Sequence, residues 1–212
     1  MFDVDLRVAI VLTAQLLIAG CDEADAPMLD AGVIEQATQA RLVRWVGVIE
    51  DTDVKVAAVL GKGQARLYFC GGAATYLTTT HWFDLAFTDE HLEYSDDTWR
   101  IHAHLTAGGV LGEVERTGDS LRMFNAQPFE RATIAGLYEG KAACGRLGLI
   151  VTQATARDEP TAQGACVGSA GEPTIQAIPI TPIALEDGKV AVRTPGDEDE
   201  ISLLQAATLE PL

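Results

Sequence analysis

Trp99-Arg100-Ile101-His102-Ala103-His104-Leu105 decides the fold. Trp99, Ile101, Ala103 and Leu105 take every second position, and Arg100, His102 and His104 fill those between. Successive side chains of an extended strand point to opposite faces, so this segment has one apolar and one polar face. Downstream, Gly108-Gly109 turns the chain into Val110, Gly112 and Val114, and Thr117-Gly118-Asp119 turns it again into Leu121 and Met123. Upstream, Leu92 to Tyr94 starts the same sheet. Short apolar runs separated by tight turns are the signature of an antiparallel meander.

The texture extends in both directions. Leu42 to Ile49 is one strand, and Val54, Val56, Ala58 and Leu60 share a face of the next. Gly61-Lys62-Gly63 leads into Ala65, Leu67 and Phe69. The threonines before His81-Trp82-Phe83-Asp84 suit a helix cap, so a short helix or loop is expected there. After Pro128, Ala135 to Tyr138 and Arg146 to Thr152 read as strands. Residues 153–172, rich in Ala, Gly, Thr and acids, read as a loop. Thr174 to Leu185, Lys189 to Arg193 and Ile201 to Ala207 are further strands, the first irregular because of Pro179 and Pro182. The expected architecture is all-β: an antiparallel meander closing into a barrel or sandwich, with one short helix and a small β extension at the C-terminus. The β-rich domain is expected over 41–152, and a loop plus the extension over 153–212.

The N-terminus has a different texture. Val8 to Gly20 is apolar apart from Thr13 and Gln15, and ends in Leu17-Ile18-Ala19-Gly20-Cys21. A membrane span needs about 20 apolar residues. This run is shorter and suits the central region of a signal peptide. The pentapeptide resembles a bacterial lipobox. That resemblance implies cleavage before Cys21, removal of residues 1–20, and a diacylglyceryl thioether on the Cys21 sulfur carrying chains such as palmitate. Two acyl chains anchor a protein stably without a spanning helix. The resemblance thus implies a cell-envelope lipoprotein facing the periplasm or the exterior, with membrane lipid as a partner through Cys21. Residues 21–40, opening Cys21-Asp22-Glu23-Ala24-Asp25-Ala26-Pro27, read as the lipidated residue and a tether.

A second resemblance rests on Trp45-Val46-Gly47-Val48, Asp51-Thr52-Asp53, Tyr68-Phe69-Cys70-Gly71-Gly72, Trp82-Phe83 and Gly136-Leu137-Tyr138. Together these are similar to a β-rich module of uncharacterised secreted bacterial proteins. That likeness implies a fold and no activity.

Net charge is −16 for the whole chain and −15 once residues 1–20, with Asp3, Asp5 and Arg7, are removed. Such acidity repels nucleic acid and anionic lipid surfaces. The dense run Asp197-Glu198-Asp199-Glu200 reads as a solvated loop, lacking the spaced oxygen ligands and central glycine of a calcium loop. Beyond Cys21, three cysteines remain: Cys70, Cys144 and Cys166. An extracytoplasmic address permits one bridge and one leftover thiol. Cys144 and Cys166, in glycine- and alanine-rich surroundings, are the expected pair, with Cys70 pairing to either as the alternative.

Evidence for chemistry is sparse. His102 and His104 lie two apart on one strand face, and His81 or His91 would be the third ligand of a zinc site. Arg100 on the same face opposes a cation. No serine lies in Gly-x-Ser-x-Gly, and His-Glu-x-x-His, Cys-x-x-Cys and phosphate-loop motifs are missing. Asp96-Asp97 before Trp99 reads either as the wall of a sugar groove or as a turn with Trp99 in the core. No cofactor is expected. The chain reads as an anchored lipoprotein presenting a β-domain for binding or structure, its partner an envelope protein or small ligand. The alternative is a small hydrolase-like envelope enzyme or a metal-binding protein using His102 and His104.

Overall fold

The computed structural model describes residues 42–61, 63–88, 90–168, 172–195 and 199–206, without the side chains of Phe87 and Thr88. The signal segment 1–20, Cys21 and the tether to residue 40 lie outside the described residues, as do Asp197 and Glu198.

The first half of the chain forms β1 (Val43–Ile49), β2 (Lys55–Gly61), β3 (Gln64–Cys70), α1 (Tyr76–Thr79), β4 (His81–Thr88), β5 (His91–Ser95), β6 (Trp99–Thr106), β7 (Gly109–Arg116) and β8 (Arg122–Gln127). Every neighbouring pair is antiparallel, and β1 pairs with β8 to close the ring. Gly47 makes the closure possible: a Cβ there would run into the Asn125 carbonyl of β8. The second half forms β9 (Gly136–Ala142), β10 (Gly145–Thr152), β11 (Thr161–Val167), β12 (Ile175–Pro179), β13 (Lys189–Arg193) and β14 (Ile201–Gln205). These close a second ring through β14 and β9.

The expected all-β meander is therefore present, and it closes twice. The division between its parts differs from the expected one. It falls at 128–135 and not after 152, because β9 and β10 pair with β11 and β14 rather than with the first sheet. What read as a small extension is the larger part of a second barrel. Two local expectations also change. His81-Trp82-Phe83-Asp84 is strand, the helix having ended at Thr79. Within the expected loop 153–172, Thr161–Val167 is strand.

β6 matches its alternation: Trp99, Ile101, Ala103 and Leu105 are buried inside the first barrel, and Arg100, His102 and His104 face out. The interior also takes Trp45, Leu67, Phe69, Phe83 and Phe124, so the barrel is filled and not hollow. Phe69 meets Phe83, Trp99 and Phe124 edge-on at 5.1–6.3 Å, an arrangement that aromatic quadrupoles favour.

The barrels share a buried face. β2 and β3 are buried on both sides: Val56, Ala58, Leu67 and Phe69 point inward, while Ala57, Val59, Tyr68 and Cys70 meet Leu137, Ile150, Ala165 and Ala206 of the second barrel. Tyr68 stacks on Trp82 at 4.0 Å, and its hydroxyl donates to the Gly148 and Ala165 carbonyls, both at 3.3 Å. Gly148 admits the pair, since a Cβ there would lie 2.5 Å from Trp82 and 2.7 Å from Tyr68. Charges cross the same face. Arg66, fully buried on β3, contacts Asp84 at 2.7 Å and Glu139 at 3.3 Å. Arg146 contacts Glu139 at 2.8 Å and lies 3.7 Å above the Trp82 ring.

Candidate functional site

Four connections emerge at one end of the first barrel: β1–β2, β3–β4, β5–β6 and β7–β8. They enclose a cavity of about 420 Å³, lined on its apolar side by Ile49, Val54, Trp99 and Val114. Thr52, Thr75, Thr78, Thr79 and Ser120 line it too, with Arg116, Asp119 and Arg122. A concave site with an apolar wall and a few convergent polar groups, at a barrel mouth, is where small ligands bind.

Local chemistry builds each wall. Thr52 Oγ1 donates to the Ile49 carbonyl at 2.8 Å and accepts the Val54 amide at 3.1 Å, tying the β1–β2 turn. The Asp53 carboxylate accepts the Ala74 amide at 3.0 Å and the Thr75 hydroxyl, which ties the segment leading into α1 to the neighbouring turn. The Thr75 hydroxyl holds the Asp53 carboxyl below its usual range. Thr78 and Thr79 hydroxyls both donate to the Thr75 carbonyl, at 3.1 and 2.9 Å. At the β5–β6 turn, Asp96 Oδ1 accepts the Thr98 and Trp99 amides at 2.7 and 2.6 Å, and its other oxygen accepts the Tyr94 hydroxyl at 2.7 Å. That hydroxyl is the main reason the Asp96 carboxyl also sits low. Trp99 is thereby fixed at its amide and by edge contact with Phe83 at 5.5 Å. Arg116 contacts Asp119 at 3.3 Å, and Arg122 donates to the Glu50 and Asp51 carbonyls at 3.4 and 3.5 Å.

The core reading of Trp99 holds, at 6 % exposure, yet the residue also lines the mouth. Asp96 serves the turn. Sequence reasoning missed the mouth itself, whose residues come from segments that barrel closure brings together.

The histidines are placed differently. His102 and His104 are exposed on the outer wall, His104 directly across from His91, and His102 across from Glu93 and Glu113. His81 sits at the mouth end, its ring 4.6 Å from Phe83 and 6.0 Å from Trp99, and does not join them. Burial keeps its imidazole below the ordinary value against the opposing pull of Asp96. Among the described residues, no group of three His, Cys, Asp or Glu side chains is arranged to hold a metal ion.

Cys144 and Cys166 form the expected disulfide, with S–S 2.10 Å. Cys70 is free and buried, and burial pushes its thiol up to about 11. A neutral thiol in the shared face is a small apolar side chain, not a nucleophile. Among the described residues no helix is long and apolar enough to cross a membrane.

The chain matches no protein-family model, no curated protein and no solved structure.

Proposed function

We propose that this protein is a cell-envelope lipoprotein, anchored through acyl chains on Cys21, whose double β-barrel is a binding module working at the mouth of the first barrel. The observation that carries the binding half is the mouth cavity on an otherwise filled barrel, lined by an apolar wall together with the charged groups Arg116, Asp119 and Arg122. The anchoring half is supported by the lipobox-like Leu17–Cys21. A disulfide between Cys144 and Cys166 agrees with an oxidising, extracytoplasmic compartment. The short polar tether would hold the barrels near the membrane while leaving the mouth accessible.

Metabolic labelling with an alkyne-tagged palmitate in a bacterial host tests the anchor. The wild-type chain takes up label and the Cys21→Ala chain does not. Equal labelling of the two removes the lipoprotein reading.

A further inference from the structure

We infer that the mouth of the first barrel takes a small organic anion with a flat apolar body, the body against Trp99 and the aliphatic wall, the anionic group on Arg116 and Arg122. This rests on the reading of the mouth as the binding surface and adds the ligand's chemical class.

Size comes first. The cavity of about 420 Å³ is walled inward by Trp99, which packs on Phe69 and Phe83, so a long acyl chain cannot run into the barrel. A body of two or three fused or linked rings suits it. The wall supplies a buried indole with aliphatic neighbours Ile49, Val54 and Val114, surfaces that receive a flat ring. Apolar surface continues outside, where Leu77 and Leu121, 63 % and 55 % exposed, adjoin the lining residues Thr78 and Arg122 in sequence.

Charge decides the head group. The chain is strongly acidic, yet two guanidiniums line this cavity against one lining carboxylate, Asp119. The carboxylates of the flanking turns, Glu50, Asp51, Asp53, Asp96 and Asp97, are not among the lining residues, and Asp53 accepts from Thr75 and Ala74 while Asp96 accepts from Tyr94, Thr98 and Trp99. The Thr78 and Thr79 hydroxyl protons are spent on the Thr75 carbonyl, which leaves oxygen acceptors on that side. Donors for a ligand therefore come from the arginines and the Ser120 hydroxyl. Each guanidinium carries five N–H groups, and the bonds Arg116 makes to Asp119 and Arg122 makes to two carbonyls use one nitrogen of each. A carboxylate, sulfonate or phosphate matches the remaining donors.

Two dyes that differ only in the charged group test this. Anilinonaphthalene sulfonate and uncharged N-phenylnaphthylamine are titrated into the purified full-length chain, with the signal of the solubilising buffer subtracted. Both bind saturably, one per chain, and Thr78→Trp, which fills the cavity, weakens both. Arg116→Gln with Arg122→Gln weakens the sulfonate about tenfold, while the uncharged dye changes less than about twofold. Lysine at both positions restores most of the sulfonate affinity. If Thr78→Trp leaves both dyes unchanged, or neither dye saturates, the mouth is not a binding site and both readings fall. If Thr78→Trp weakens both but the glutamine pair treats the dyes alike, the anion inference alone falls. Circular dichroism confirms that each variant is folded, and Arg122→Gln alone carries the same comparison if the pair is not.

Discussion

The two barrels are closed by different means. The first has eight strands, and among the described residues its interior cluster counts twenty buried side chains, including Trp45, Phe69, Phe83, Trp99 and Phe124. The second has six strands and a cluster of nine, with Tyr138 its one aromatic. Its strands β12, β13 and β14 are five residues each, and the β12–β13 and β14–β9 seams are two residue pairs long. The disulfide sits in this barrel, tying the β9–β10 turn to β11. A large core stabilises a closed sheet by itself, whereas a small one needs a staple or a neighbour. The second barrel has both: Cys144–Cys166, and the face it shares with β2, β3 and β4. The first is then the larger platform, and it carries the proposed binding mouth.

Substitutions can break this contrast or sharpen it. The largest effect is expected where the barrels are joined. Glu139→Leu removes the carboxylate that the buried Arg66 and the partly buried Arg146 both contact, and destabilises the protein by about 3–5 kcal/mol in urea unfolding. Both barrels should report the loss, because the network has members in each. Removing the staple comes next. Cys144→Ala with Cys166→Ala opens a bridge spanning 22 residues and costs about 3 kcal/mol, confined to the second barrel. Gly148→Ala pushes Trp82 and Tyr68 off β10 and costs about 1–3 kcal/mol, with loss of the near-ultraviolet signal of that stacked pair.

The smallest effect is a pH dependence belonging to the first barrel. Burial holds His81 below its ordinary value, so the unfolded chain binds its proton more readily than the fold does. Its contribution is fully present above the unfolded value, about 6.5, and is lost as pH falls through the lower folded value. Wild-type Tm therefore declines between about pH 7 and pH 5, and His81→Gln declines less. Equal slopes would show that His81 is not the group responsible.

How much of this was legible in the sequence depended on whether a strand has one buried face or two. β6 alternates cleanly because only its inner face is covered, and its class and phase followed from Trp99 to Leu105 alone. β11 was invisible. Gly164 and Ala165 are small because the sheet packs closely there: a Cβ on Gly164 would approach the Gly148 carbonyl at 2.7 Å. Small residues without alternation resemble a loop. β4 was hidden by the threonines before it, of which Thr78 and Thr79 end a helix of only four residues and Thr80 is already extended. The division at 128–135 carried no signal beyond Pro128, since strands on both sides of it look alike. The mouth was legible in fragments only, as Asp96, Trp99 and the threonines. Ile49, Arg116 and Arg122 join them through closure of the ring, a long-range property that no local pattern records. The disulfide was legible because removing Cys21 left few thiols, and the surroundings of Cys144 and Cys166 differ from the strand that buries Cys70.

Amide hydrogen exchange with the disulfide intact and then reduced tests the central contrast most directly. Reduction should release protection across β9–β14, most in β12, β13 and β14, while β1–β8 amides exchange as before apart from the outer faces of β2 and β3. Equal loss of protection in both rings would contradict the account, and would mean that the two barrels stand and fall as one unit.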